Sequence, residues 1–137
     1  MAIFEWDNKY SVNIAIIDSH HKKLFDIVNN IYDLMEHGAD DDSIIKIISE
    51  LLDYTNYHFS EEEKMMEKIN YPDISSHKRE HVDFIALLTE YFDSAKNGKA
   101  IFVAVKLSDA GVTWLKNHIL TTDTKYQKYI AANNLTV

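Results

Sequence analysis

Apolar side chains recur along this chain in alternating steps of four and three, the spacing that keeps one face of an α-helix buried. Ile17, Leu24, Val28, Ile31 and Met35 share such a seam with His21. Asp18 is a suitable N-cap for that helix, and His37-Gly38 supplies a left-handed stop. A second seam begins after Asp42 or Ser43 and runs Ile44, Ile48, Leu51, Thr55, His58, Glu62, Met65, Ile69. Asn70-Tyr71-Pro72-Asp73 ends it, because a helix does not continue across that proline. The third, capped by Ser75 or Ser76, carries His77, His81, Phe84, Leu88, Tyr91 and Ala95, and Lys96-Asn97-Gly98-Lys99 breaks it. A fourth starts near Ala100, with Leu107, Gly111, Trp114 and His118 on its stripe, and continues raggedly toward Tyr129. Residues 1 to about 17 show no clear period; with Phe4, Trp6, Tyr10, Val12 and Ile14 as anchors, they form an arm expected to pack across the helices. Four helices with short connections predict an all-α fold, an up-down-up-down antiparallel four-helix bundle at about 18–132, in one domain spanning residues 1–137.

Composition sharpens this picture in three places. Three glycines and one proline in 137 residues leave little punctuation for a many-stranded β fold. The formal net charge of −8 argues against nucleic acid or an anionic membrane as a partner through bulk electrostatics. The absence of cysteine removes disulfides, thiolate metal sites and cysteine nucleophiles together. The N-terminus has no basic region followed by an apolar run, and no apolar stretch approaches the roughly 20 residues that span a bilayer, so a soluble, cytoplasmic protein is expected.

The polar exceptions on the seams carry the chemistry. His21, His58, Glu62, His77, His81 and His118 stand where Leu, Ile, Met or Phe stand otherwise. A buried polar group without a partner costs about 1–3 kcal/mol, and a bare carboxylate far more. A bound cation satisfies all of them at once. His58 with Glu62, and His77 with His81, are four residues apart and therefore share a helix face. Asp123 follows His118 by five residues, which turns it about 140° away on a regular helix. Bringing both inward requires irregular hydrogen bonding between them, of the π type or a break. Seven donors exceed the needs of one tetrahedral zinc and suit two metals. Imidazole-rich, sulfur-free sites suit iron, copper, nickel or zinc, so the donor types leave the metal open. No glutamate stands three residues before any of these histidines, unlike the carboxylate-rich di-iron bundles.

In order and spacing, Ile17-Asp18-Ser19-His20-His21-Lys22-Lys23-Leu24, His58-x-x-x-Glu62, His77-x-x-x-His81 and Trp114-Leu115-x-x-His118-Ile119-x-x-x-Asp123 resemble the hemerythrin family. The arm with Trp6 is similar to that of the bacterial single-domain members. One departure is His20, where the family usually has glutamine. The resemblance implies two iron ions in a non-haem, oxo- or hydroxo-bridged centre. By position, it places His77, His81 and His118 on one iron, His21 and His58 on the other, and Glu62 and Asp123 between them. The second iron, one imidazole short, then keeps an open position for dioxygen, and reversible dioxygen binding is the implied function. Oxygen carriage, storage or delivery to an oxygen-consuming enzyme would each use it. An oxidase, a peroxide- or nitric-oxide-handling protein, or an oxygen or redox sensor acting through a separate partner would use the same open site.

Other features have plainer readings. His77-Lys78-Arg79-Glu80-His81 matches the H-x-x-E-H pattern of a zinc peptidase family, with Glu80 as general base, but that reading leaves the other donors unexplained. His20 and His37 are expected at the surface, and Met65 and Met66 in the core or on its flank. Trp114, Phe84, Phe59 and the tyrosines are packing residues, some of them walling the dioxygen pocket. Thr121 and Thr122 lie about one turn past His118, where a hydroxyl is expected to touch the pocket and affect irreversible oxidation.

Overall fold

Among residues 4–137, which the computed structural model describes, every regular element is helical. After a short 3-10 turn at Asn8–Tyr10 come α1 (Ala15–Glu36), α2 (Asp41–Lys68) and α3 (Ile74–Ser94). A fourth helical run consists of α4 (Ala100–Lys106), α5 (Val112–Asn117) and α6 (Thr124–Ala132), joined through π-helical turns at Leu107–Gly111 and His118–Asp123. Short connections set α1, α2 and α3 side by side in alternating directions, and α4 packs against all three. The all-helical architecture is the one the seams predict. Residues 1–3 of the expected arm lie outside the described residues.

The stops are where the sequence puts them. Gly38 ends α1 at φ +70°, and Gly98 turns the chain at φ +89° between α3 and α4. Asn70 takes the same left-handed conformation after α2 (φ +54°), and the Tyr71 N–H reaches back to the Met66 carbonyl at 3.0 Å. The helix starts differ from expectation. Asp18 does not cap α1, which begins three residues earlier; its carboxylate accepts from the Val12 N–H (2.9 Å) and the Ser11 hydroxyl, so it secures the arm instead. Helix α2 starts at Asp41, ahead of the expected start after Asp42 or Ser43, and Asp40 is its cap, with its carboxylate accepting from the N–H of Ser43 at 2.9 Å. Helix α3 starts at Ile74, ahead of Ser75 and Ser76, and the Ser76 hydroxyl donates to the Asp73 carbonyl. On α2 the buried methionine is Met66, with Met65 half-buried, since a four-residue step from Glu62 stays closer to the inner face.

The arm packs across the helices as expected. Phe4 stacks on Phe25 with ring centroids 3.5 Å apart, and its backbone exchanges two hydrogen bonds with the Asn29 amide, of 3.0 and 2.9 Å. The buried apolar residues form two clusters. The larger contains Leu24, Leu51, Phe59, Phe84, Leu88, Leu115 and Ile119; the smaller contains Val12, Ile17, Met66, Ile69, Tyr71 and Tyr126. On α1, α2 and the fourth run, the polar exceptions fall in sequence between members of the two clusters. A polar layer therefore crosses the interior with hydrophobic packing on both sides. No helix among the described residues is long and apolar enough to cross a membrane.

Candidate metal centre

Each element delivers its donors for a local reason. The four-residue spacing on α2 and α3 stacks His58 over Glu62 and His77 over His81, and α1 adds His21. The π turn at His118–Asp123 closes i→i+5 hydrogen bonds, so residues five apart come onto one face, as the spacing required. All seven side chains are buried, with Glu62 and Asp123 completely so. They gather as one group of Glu62, His77, His81, His118 and Asp123, and a second of His21, His58 and Glu62.

Within this arrangement the carboxylates face both ways. Glu62 Oε1 lies 2.9 Å from His77 Nε2 and 3.0 Å from His81 Nε2, while Oε2 lies 3.5 Å from His58 Nε2 and 3.8 Å from His21 Nε2. Asp123 Oδ1 stands 3.0 Å from His77 Nε2 and 3.1 Å from His118 Nε2, while Oδ2 stands 3.1 Å from His21 Nε2. His81 and His118 also approach each other nitrogen to nitrogen, at 3.2 Å. Every imidazole thus turns its Nε2 toward the shared carboxylates.

A cation fits this geometry better than internal hydrogen bonding does. His21 Nε2 and both Asp123 oxygens are buried without a hydrogen-bond partner, although donors and acceptors stand at contact distance. Lone pairs that converge on common points, and not on one another, give that pattern. Separations near 3.0 Å also match the edge of an octahedron with arms of about 2.1 Å, the usual metal–imidazole length.

Protons respond to the same field. Burial opposes charge on His118, but Asp123 and Glu80 outweigh it and raise its pKa to about 10. Burial likewise opposes charge on His77, and Asp123 with Glu62 raises it to about 9. At His58 burial wins over the pull of Glu62 and holds the pKa down to about 3. Burial and mutual repulsion resist ionisation of Glu62, and burial resists that of Asp123, yet the surrounding imidazoles keep both below the ordinary carboxylate range.

A second layer orients the donors, and sequence reasoning missed most of it. His81 Nδ1 bonds Glu63 Oε2 at 2.8 Å, and His118 Nδ1 bonds Glu80 Oε1 at 3.1 Å. Thr122 donates to both Glu80 oxygens, at 2.8 and 3.0 Å. Glu80 is therefore held by a neighbouring imidazole and a hydroxyl, which removes the peptidase reading of H-x-x-E-H. Tyr126 donates to Glu62 Oε2 at 2.9 Å. His20, expected at the surface, is only 4% exposed, with its Nδ1 3.0 Å from His58 Nδ1. His37 is exposed as expected, with its ring on the Asp33 carbonyl. Thr121 is exposed and its hydroxyl bonds the Asn117 carbonyl, so it does not face the centre. The signal for Glu63 and Glu80 lay in the chemistry: a ligating imidazole wants an acceptor for its second nitrogen, and acids flank Glu62 and His81.

Aromatic rings fix the imidazole planes on one side of the centre. Phe59 stacks on His81 at 3.7 Å and 4°, and Trp114 on His118 at 4.6 Å and 12°, with Phe84 behind Trp114 at 3.9 Å. These rings wall the three-imidazole group.

Residues 12–130 match the hemerythrin HHE cation binding domain. The chain is 36% identical to the bacteriohemerythrin of Clostridium acetobutylicum over 127 residues, covering 90% of this chain and 98% of that protein. It is 32% identical to the myohemerythrin of Theromyzon tessulatum over 124 residues, covering 90% and 91% respectively. A crystal structure of wild-type hemerythrin superposes with a TM-score of 0.81 at 30% identity, covering 93% of this chain and 97% of that one. By its matched length, its identity to known members and its fold, the chain belongs to the hemerythrin family.

Proposed function

We propose that this protein binds dioxygen reversibly at a non-haem di-iron centre. In this reading His77, His81 and His118 hold one iron, His21 and His58 hold the other, and Glu62 and Asp123 span both. The observation that carries it is an inequality: three imidazoles on one side and two on the other, around carboxylates that each turn one oxygen to either side. A position one donor short has room for a small ligand. Bound there, the iron pair supplies the reducing electrons and the open coordination position.

The protein's own groups hold the pair and restrain it. Glu62 and Asp123 set the spacing, and Tyr126 keeps Glu62 in place through Oε2. The nearest additional acids, Glu63 and Glu80, are each committed to an imidazole. Neither is poised to shuttle protons for turnover, which favours binding over catalysis.

Iron content and visible absorption test this, with the protein reduced without oxygen, then aerated, then degassed. About two irons per chain, and a band that appears with oxygen and vanishes on degassing, is the expected result. Immediate irreversible oxidation, or rapid turnover of peroxide or nitric oxide by the reduced protein, overturns reversible binding in favour of an oxidase or sensor. Zinc, or no metal, overturns the di-iron reading itself.

A further inference from the structure

Outside the proposed donors, one buried side chain makes a contact that stability alone does not demand. His20 sits between α1 and α2, edge-on to Tyr54 with ring centroids 6.0 Å apart and tilted against Tyr57 at 5.3 Å. Its Nδ1 meets His58 Nδ1 at 3.0 Å, with the two rings at 89°. Two nitrogens at that distance need one hydrogen between them. In the two-metal reading His58 Nε2 holds the cation, so its hydrogen sits on Nδ1 and points to His20. His20 therefore accepts through Nδ1 and carries its own hydrogen on Nε2. The ring lines a surface groove beside Tyr57 and Glu61.

The two groups are consequently supported by different chemistry. In the three-imidazole group, His81 and His118 donate to carboxylates, which increase the electron density on the ligating nitrogen. In the two-imidazole group, His58 donates to a neutral imidazole, a weaker acceptor than an anion, while one Nδ1 in each group, on His21 and on His77, has no hydrogen-bond partner. We propose that His20 is a positioning residue for His58, and that this pairing makes the His21–His58 position the weaker, second-filled of two cation sites. The inference rests on the two-metal reading above.

Titration of metal-free protein with cobalt(II) under anaerobic conditions, followed by calorimetry, tests it. The expected result is two resolved steps per chain. In His20→Leu the first step is unchanged and the second is weaker by about 10–100-fold. His20→Gln, whose amide oxygen can accept from His58, returns the second step to within a few-fold of the parent, and His20→Glu tightens it. In zinc-loaded, 15N-labelled protein, the His58 Nδ1–H resonance is protected in the parent and in His20→Gln, and exchanges with water in His20→Leu. Circular dichroism of each variant controls for folding. A second step unaffected by His20→Leu, or both steps weakened alike, overturns the positioning role while leaving two metals in place. Saturation below two cobalt ions per chain overturns the two-metal reading and this inference with it.

Discussion

The two halves of the centre are built from the same imidazole chemistry and respond to it in opposite ways. In the three-imidazole half, His77 and His118 hold protons tightly, at about 9 and about 10, because Asp123, with Glu62 at the first and Glu80 at the second, outweighs burial. In the two-imidazole half, His58 refuses a proton down to about 3, because burial dominates over Glu62. Without a cation, protons thus stand in for it on one side only. The aromatic stacking follows the same division, with Phe59 and Trp114 on rings of the first half. The first half is backed by two further carboxylates, Glu63 and Glu80, and by stacked rings; the second is backed by the imidazole of His20.

The largest test removes what the halves share. Asp123→Ala takes an oxygen from each side, and iron content should fall from about two per chain to about one or fewer, read by elemental analysis. Next comes pH, in metal-free protein. His77 and His118 have pKa values raised above the ordinary 6.5, so their stabilisation is complete below that value and is lost as pH rises through 9 to 10. His58 has a depressed value, so its effect is a loss of stability as pH falls from 6.5 toward 3, in the same direction as the lowered Glu62 and Asp123. The melting temperature of the metal-free protein should therefore drop between pH 7 and 10, while iron-loaded protein, whose cations have displaced those protons, stays level. His118→Ala should flatten much of the alkaline drop. A drop of equal size in the loaded protein would sink the idea that protons substitute for metal.

A smaller effect is expected at Tyr126, which is buried completely and donates to the ionised Glu62. Tyr126→Phe should cost about 1.5–3 kcal/mol by denaturant unfolding of metal-free protein, the range for a hydrogen bond to a charged group. Smallest is the threonine pair. Thr122→Val frees Glu80 from its hydroxyl and should weaken only the first cobalt step, by a few-fold, whereas Thr121→Val should leave both steps unchanged.

Six of the seven proposed donors were legible in the sequence because each interrupts an apolar seam, which tolerates few interruptions; Asp123 was legible only from its spacing to His118. Even the irregular turn was legible, since five residues cannot bring Asp123 under His118 on a regular helix. The second layer was less so. Glu63 and Glu80 are single acids in a chain with 22 acidic residues, and nothing local separates a carboxylate on an imidazole from one in water. His20 lies about 100° around the helix from His21, off the seam, and is buried only because α2 packs over that flank. Helix starts were misplaced where several capping residues stood together, as at Asp40-Asp41-Asp42, since reach to a particular N–H is decided by the backbone.

The π turn also has a meaning in chain length. A regular helix would carry His118 and the aspartate on one face if four residues separated them, as His58 and Glu62 are on α2. The turn holds one residue more than that, and Thr121 is the member most exposed to water. Deleting Thr121 should therefore restore ordinary i→i+4 bonding without rotating α6 away, so that Tyr126 still meets Glu62. The fourth helix is, in this sense, a regular helix that has absorbed an insertion, with the surplus looped toward solvent.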